Sequence, residues 1–361
     1  QAQALMQQLT TLPTVKVVQD EDAVPGALLS LGVNPAASIA PPVSTLYTVR
    51  RDEASGASTT SHLFLFNQGN DVINGTLTLN LGFQGTPFTL DAWSGTVNPI
   101  FIWDSSPGSI SISGFSLAEK ETALITVTSE SEFEGVSSPV VHVSNADSEV
   151  FAGASTRGSI ELRSTTEGSK KVTFSTGDTQ TIKFSLEGET VRELTGWQLN
   201  ITKWTPPEDL SQIPSVLVPE PAINLTQGLI PWDQLEGHKN TSGLGTYITT
   251  FEWSHAIDSN VGVQLDFGVV VHTLKAWLNG IELPTADPTH PVVDISNLVQ
   301  EGSNTLRVDA ASTLLNVVNS VPGITSLGVP RFSIFQRNQQ YGLVVPVRLI
   351  PYSRVTMEQG L

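Results

Sequence analysis

Apolar residues recur at every second position along most of this chain, and a period of two commits a sequence to β-sheet. From Thr45 onward the alternation is sustained. Leu63 and Leu65, then Leu77, Leu79 and Leu81, then Ile110 and Ile112, then Ala123, Ile125 and Val127 recur in runs of this period. Turn residues separate the runs roughly every 8–12 positions, the spacing of short antiparallel strands in a sandwich. Asn74-Gly75 and Asn279-Gly280 each predict a type I′ hairpin turn. Residues 136–190 keep the pattern with Val140, His142, Val172, Phe174, Ile182 and Phe184. Further strands are expected at 246–253, 262–267, 273–278, 305–310 and 343–350.

Only residues 1–45 read differently. Ala4, Leu5, Gln8 and Leu9 make the stripe of a short helix. A second helix fits 22–31, with Asp22 as its cap, Pro25 in its first turn and Gly32 at its end. Asn34-Pro-Ala-Ala and Pro41-Pro42 then form an extended connector. A chain of 361 residues exceeds one ordinary sandwich, so two β domains are expected. The division is a helical connector at 1–45, a β-sandwich at 46–190 and a second sandwich at 191–361. The opening residues read as the middle of a helix, which predicts a further domain upstream.

The net charge of −17 repels nucleic acid and anionic membrane, so neither is an expected partner. No run approaches the ~20 apolar residues of a membrane span. The absence of cysteine excludes thiol catalysis, zinc thiolate sites and disulfides. N-x-[ST] sequons at Asn74, Asn200, Asn224 and Asn240 predict a secreted, glycosylated protein. No two histidines stand at metal-ligand spacing. Neither a G-x-S-x-G elbow nor a phosphate-binding G-x-x-x-x-G-K-[ST] loop occurs. No cofactor is expected; calcium is left open, with no ligands assigned. Glu119 and Glu121 read as solvated turn residues.

Two sets of motifs carry a resemblance. Ser242-Gly-Leu-Gly-Thr-Tyr247, Phe251-Glu-Trp253, Leu265-Asp-Phe-Gly268, Trp277-Leu-Asn-Gly280, Val293-Asp294-Ile-Ser-Asn-Leu298 and Gly302-Ser-Asn304 form one series. It resembles the galactose-binding-like jelly roll attached to many glycoside hydrolases, family 2 β-galactosidases among them. Upstream, Val49-Arg50-Arg51, Leu63-Phe-Leu-Phe-Asn67, Leu90-Asp-Ala-Trp93-Ser-Gly95 and Leu117-Ala-Glu-Lys-Glu121 form a second series. It resembles the segment after the catalytic barrel in secreted fungal enzymes of the family 106 α-L-rhamnosidase type. Tyr341-Gly-Leu-Val-Val-Pro-Val347 fits the end of their jelly roll.

The resemblance implies an accessory C-terminal portion whose partners are an upstream catalytic barrel and carbohydrate. It carries over no catalytic residue, because the acid and base of such enzymes lie on the barrel; it implies Arg50 or Arg51 as a contact to that barrel. A free-standing lectin-like protein is the alternative. Flat aromatic rings stack on the apolar face of a pyranose. Trp93, Trp103, Trp232, Trp253, Trp277, Tyr247 and Tyr341 can each fill that role or pack in a core. Trp232, Trp277, Tyr247 and Tyr341 are the carbohydrate-binding candidates.

Overall fold

The computed structural model describes residues 2–56, 58–155, 159–209, 216–321 and 338–357. Among them the chain is all-β, with antiparallel strands and three short helices at Ala2–Leu9, Val24–Ser30 and Leu315–Ser320. Pro25 sits in the first turn of Val24–Ser30 and Gly32 follows its end, as expected. Its entry is organised differently. Asp20, not Asp22, accepts the Ala23 N–H at 2.9 Å.

The first sandwich faces two sheets across a core of Leu63, Leu65, Leu77, Leu79, Ile110, Ile112, Ile125 and Val127. One sheet has the order Ala37–Ala40, Ile73–Asn80, Ser109–Leu117, Asp104–Ser106. The other runs Leu46–Ser55, Ser58–Asn67, Thr122–Thr128, Thr86–Leu90, Val97–Pro99. Each buried aliphatic side chain contributes roughly 1.5–3 kcal/mol, so the alternating pattern fixes which face turns inward.

Asn74-Gly75 is not a hairpin turn. Both residues lie inside the strand Ile73–Asn80, opposite Ser116 and Phe115, beside a bulge before Leu77. The strand before it belongs to the opposite sheet, so no hairpin can join the two. The crossing is organised by buried Asn67, whose Nδ2 donates to Asp71 O and Ala118 O, each at 2.8 Å. Gly75 is needed for another reason: a Cβ there would lie 2.2 Å from the carbonyl oxygen of Ala40 on the neighbouring strand.

Residues 136–190 are expected to complete or extend the first sandwich. They build a core of their own from Val143, Leu162, Val172, Phe174, Ile182 and Phe184. Phe101 and Ile102 enter that core from upstream, where Ile102 bridges Val143. One sheet of this middle unit, Val150–Ala154 and Ile160–Ser164, continues through the strand Arg348–Thr356 into the C-terminal sandwich. Hydrogen bonding therefore crosses the expected boundary near Thr190.

The C-terminal sandwich pairs that sheet with a second one, built on Trp197–Thr205, Gly243–Trp253, Gly302–Ala311 and Thr273–Leu278. Asn279 and Gly280 do form a turn, at φ +51° and +83°. Asn279 Oδ1 accepts the Thr305 N–H at 2.9 Å and its Nδ2 donates to buried Asn304 at 2.8 Å, tying the turn to the neighbouring strand. The last strand falls at Arg348–Thr356 rather than 343–350. It pairs on one side with Val261–Asp266, and on the other with Arg192–Glu193 and Ile160–Ser164. Pro351 fits there. It faces Val263, whose N–H and C=O both turn to Ser296 and Ile295, so the missing proline donor lies on the opposite edge, between the two short partners.

Candidate functional site

Three of the four aromatic candidates are core, which corrects the expectation that they bind sugar. Trp232, Tyr247 and Tyr341 are each no more than 1% exposed, so no ring face is open to a ligand. Trp232 lies in the short turn Trp232–Gln234, tucked beneath the strand that carries Tyr247. Its Nε1 donates to Tyr247 Oη at 2.7 Å, and the same oxygen accepts the Leu343 N–H at 3.1 Å. Burial pushes the Tyr247 phenol up to about 12. Tyr341 meets Trp232 edge to face at 6.0 Å and shares a 2.7 Å hydrogen bond with Thr313 Oγ1. Gly342 makes the packing possible, because a Cβ there would lie 2.1 Å from Tyr247 Oη. The trio fastens the segment around Tyr341 to the sheet.

Trp277 stands on the outer face and is half-buried. The Arg307 guanidinium lies 4.7 Å from its ring centroid and is held by Asp309 at 2.6 Å, so one ring face is already covered. Of the sequon asparagines, Asn74, Asn224 and Asn240 are exposed and Asn200 is half-buried within a strand. Asn240 Oδ1 accepts from Asn338 Nδ2 at 2.8 Å. Arg50 is engaged internally, donating to the carbonyls of Asn80 and Leu81 at 2.7 and 2.8 Å. Among the described residues, no group of three or more His, Cys, Asp or Glu is gathered to hold a metal ion. No helix among them is long and apolar enough to cross a membrane.

A cleft of about 590 Å³ opens between the first sandwich and the C-terminal one. One wall is the turn after Thr86–Leu90, and its floor is the start of the strand Thr122–Thr128. The loop of residues 284–294 forms the opposite wall.

The Asp91 turn is rigid. Asp91 Oδ1 accepts the N–H groups of Trp93 and Ser94 at 2.8 and 3.2 Å, and Oδ2 accepts the Ser94 hydroxyl at 2.6 Å. Trp93, 48% exposed, projects from that turn and belongs to none of the three apolar cores. Glu121 is not a fully solvated turn residue. Burial raises its pKa and the charge of Asp287 adds to the rise; the 2.5 Å hydrogen bond from Ala118 N–H and the charge of His290 oppose it. Across the cleft, Asp287 Oδ1 accepts the N–H and hydroxyl of Thr289 at 2.8 and 2.7 Å. Asp294, at the rim, is engaged by Arg163 at 2.9 Å and by Tyr352 Oη at 2.7 Å.

Sequence reasoning passed over this cleft because its walls are far apart in the chain. One signal was present: a tryptophan on an Asp-x-x-Ser-Gly turn, outside the alternation, has no strand to bury it.

A second surface feature adjoins the cleft. Across the outer face of the five-stranded sheet, Val49, Phe64, Leu124, Leu90 and Val97 stand opposite one another in register, with Tyr47 and Phe66 in the next row. Tyr47, Val49 and Phe64 are 55%, 65% and 40% exposed. Phe66, Leu90, Val97 and Leu124 are half-buried. The helices Ala2–Leu9 and Val24–Ser30 bury no residue.

These features define an all-β chain of packed antiparallel sandwiches. The fold is similar to that of a rhamnosidase from Novosphingobium sp. PP1Y, with a TM-score of 0.58, 18% identity and coverage of 97% of this chain. This chain spans 28% of that enzyme. Partial matches extend to a β-glucuronidase from Faecalibacterium prausnitzii, with a TM-score of 0.28, 19% identity, and 45% of this chain and 31% of that one covered. A β-D-mannosidase from Dictyoglomus thermophilum gives a TM-score of 0.27 and 14% identity over 45% of this chain and 22% of that one. No protein-family model matches the chain, and no curated protein does. At 18% identity the likeness to the rhamnosidase is one of fold.

Proposed function

We propose that this chain is the accessory β portion of a larger, secreted glycoside hydrolase of the α-L-rhamnosidase type, supporting a catalytic domain and taking part in carbohydrate binding. One observation carries the reading: a rhamnosidase fold matches 97% of this chain while this chain accounts for 28% of that enzyme. The open apolar rows support it. Contiguous exposed apolar surface of this kind is where another protein surface packs, and Tyr47, Val49 and Phe64 stand exposed in two adjacent rows of it. In this reading the catalytic acids belong to the remainder of the enzyme, and glycans sit on exposed asparagines such as Asn74 and Asn224.

The test is turnover of aryl α-L-rhamnosides by the purified 361-residue chain. Turnover at background level is expected. Activity above background, abolished by substituting a single Asp or Glu of this chain, would sink the accessory reading. The cleft beside Trp93 favours a second reading, a free-standing lectin-like protein. Intact mass of the native material separates the two: a larger polypeptide carrying this sequence, or co-purifying with it, argues for the enzyme portion.

A further inference from the structure

We propose that the cleft between the Asp91–Thr96 turn and the 284–294 loop is a binding site for a neutral saccharide, stacked on Trp93, and that it rejects uronic acids and other anionic sugars. The inference rests on the carbohydrate-facing reading above and assigns the ligand class.

The cleft has the size of a small-molecule site, within the usual range of ~300–1,000 Å³. Trp93 supplies an aromatic platform. Its turn is already locked by three hydrogen bonds to Asp91, so holding the ring in place costs little ordering on binding. Sugar hydroxyls both donate and accept, and the cleft offers partners for each. Glu121 and Asp287 present acceptor oxygens, while Asn98 and His290 offer donors. Glu121 Oε2 is the oxygen that takes the Ala118 N–H, and Asp287 Oδ1 the one that takes both Thr289 bonds.

Charge decides the sugar class. Asp91, Glu121, Asp287 and Asp294 line the cleft, and no lysine or arginine does. Arg163 reaches Asp294 from outside the lining and is also bound to Glu161 at 2.7 Å, so it is committed. His290 is the lone basic side chain in the lining. An entering carboxylate would meet carboxylates with no guanidinium fork to receive it. Like charges brought into contact near a protein surface repel strongly, so even a partly screened contact weakens binding tenfold or more.

The experiment is isothermal titration of the 361-residue chain with methyl α-L-rhamnoside, methyl β-D-galactoside and lactose, and with sodium D-galacturonate as the anionic probe. At least one neutral sugar should bind, and galacturonate at least tenfold more weakly. Trp93→Ala should weaken the neutral ligand at least tenfold while leaving the thermal midpoint unchanged, since Trp93 lies outside the cores. Asn98→Ala should weaken it without changing the midpoint. No heat or chemical-shift change with any neutral sugar at millimolar concentration would overturn the proposal. So would galacturonate binding as tightly as the neutral sugars, or undiminished binding by Trp93→Ala. Each of these results leaves the support of a catalytic domain standing, because that part of the reading is tested by turnover.

Discussion

Tyr247→Phe isolates a single oxygen at the centre of the C-terminal sandwich. The substitution keeps the ring and its edge-to-face contact with Trp197 at 6.3 Å. It removes the acceptor for Trp232 Nε1–H at 2.7 Å and for Leu343 N–H at 3.1 Å. Both donors are buried, and each one left unsatisfied costs about 1–3 kcal/mol. With each cost taken in the lower half of that range, the sum is about 3 kcal/mol, which lowers the midpoint of a unit this size by roughly 6–12 °C. Tryptophan fluorescence reads the transition directly, since Trp197, Trp232 and Trp253 all lie in this core. Alkaline pH supplies a second arm. The Tyr247 phenol is raised from 10.0 to about 12 in the folded chain, so folding holds a proton that the unfolded chain releases. The stabilisation is complete below pH 10 and is lost as pH rises through about 12. The gap between wild type and variant should therefore narrow over that window. A variant within about 0.5 kcal/mol of wild type at neutral pH would refute the account of an oxygen that two buried donors need.

Three other outcomes can be checked. Arg163→Ala leaves Glu161 and Asp294 without the cation that lies 2.7 and 2.9 Å from them, and should cost about 3 kcal/mol in urea unfolding, with Arg163→Lys recovering part of it. Burial lowers the pKa of His142, which stacks on Trp103 at 3.8 Å; its contribution is intact above pH 6.5 and declines as pH falls through the lower folded value, so His142→Phe should flatten that stretch of the stability profile. Gly75→Ala drives a methyl group against Ala40 O and should destabilise the first sandwich by about 1–3 kcal/mol, seen as a lower urea midpoint.

The alternation of Leu63 with Leu65 and of Ile110 with Ile112 was legible because a sandwich needs one buried face per strand, and burial tracks the period residue by residue. Asn279-Gly280 was legible because its two strands are neighbours in one sheet, so a local turn suffices. Asn74-Gly75 misled for the opposite reason. Whether Asn-Gly turns a chain depends on where the preceding strand lies, and here that strand belongs to the other sheet. The last strand shifted for a related cause. Residues 343–350 and 348–356 both carry apolar residues at suitable spacing, and only pairing with Val261–Asp266 selects the second. The aromatics were the least legible. Trp232 sits in a proline-flanked turn and is buried because a distant segment closes over it, while Trp93 sits in a comparable turn and stays 48% exposed. That contrast lies in the tertiary arrangement, and local sequence does not encode it.

The strand Arg348–Thr356 imposes an order of events on folding. Ser164 waits for Ser353, and Val261 pairs with the same residue on the opposite edge. During synthesis, the middle unit and the C-terminal sandwich each remain one strand short until this segment has been made. Both sheets then present open edges to any other chain nearby, with nearly the whole C-terminal sandwich spanning the gap between Ser164 and its partner. Contacts of such separation form late. The first sandwich, whose strands all come from residues 37–128, is free of that delay and can close while the rest is still being made.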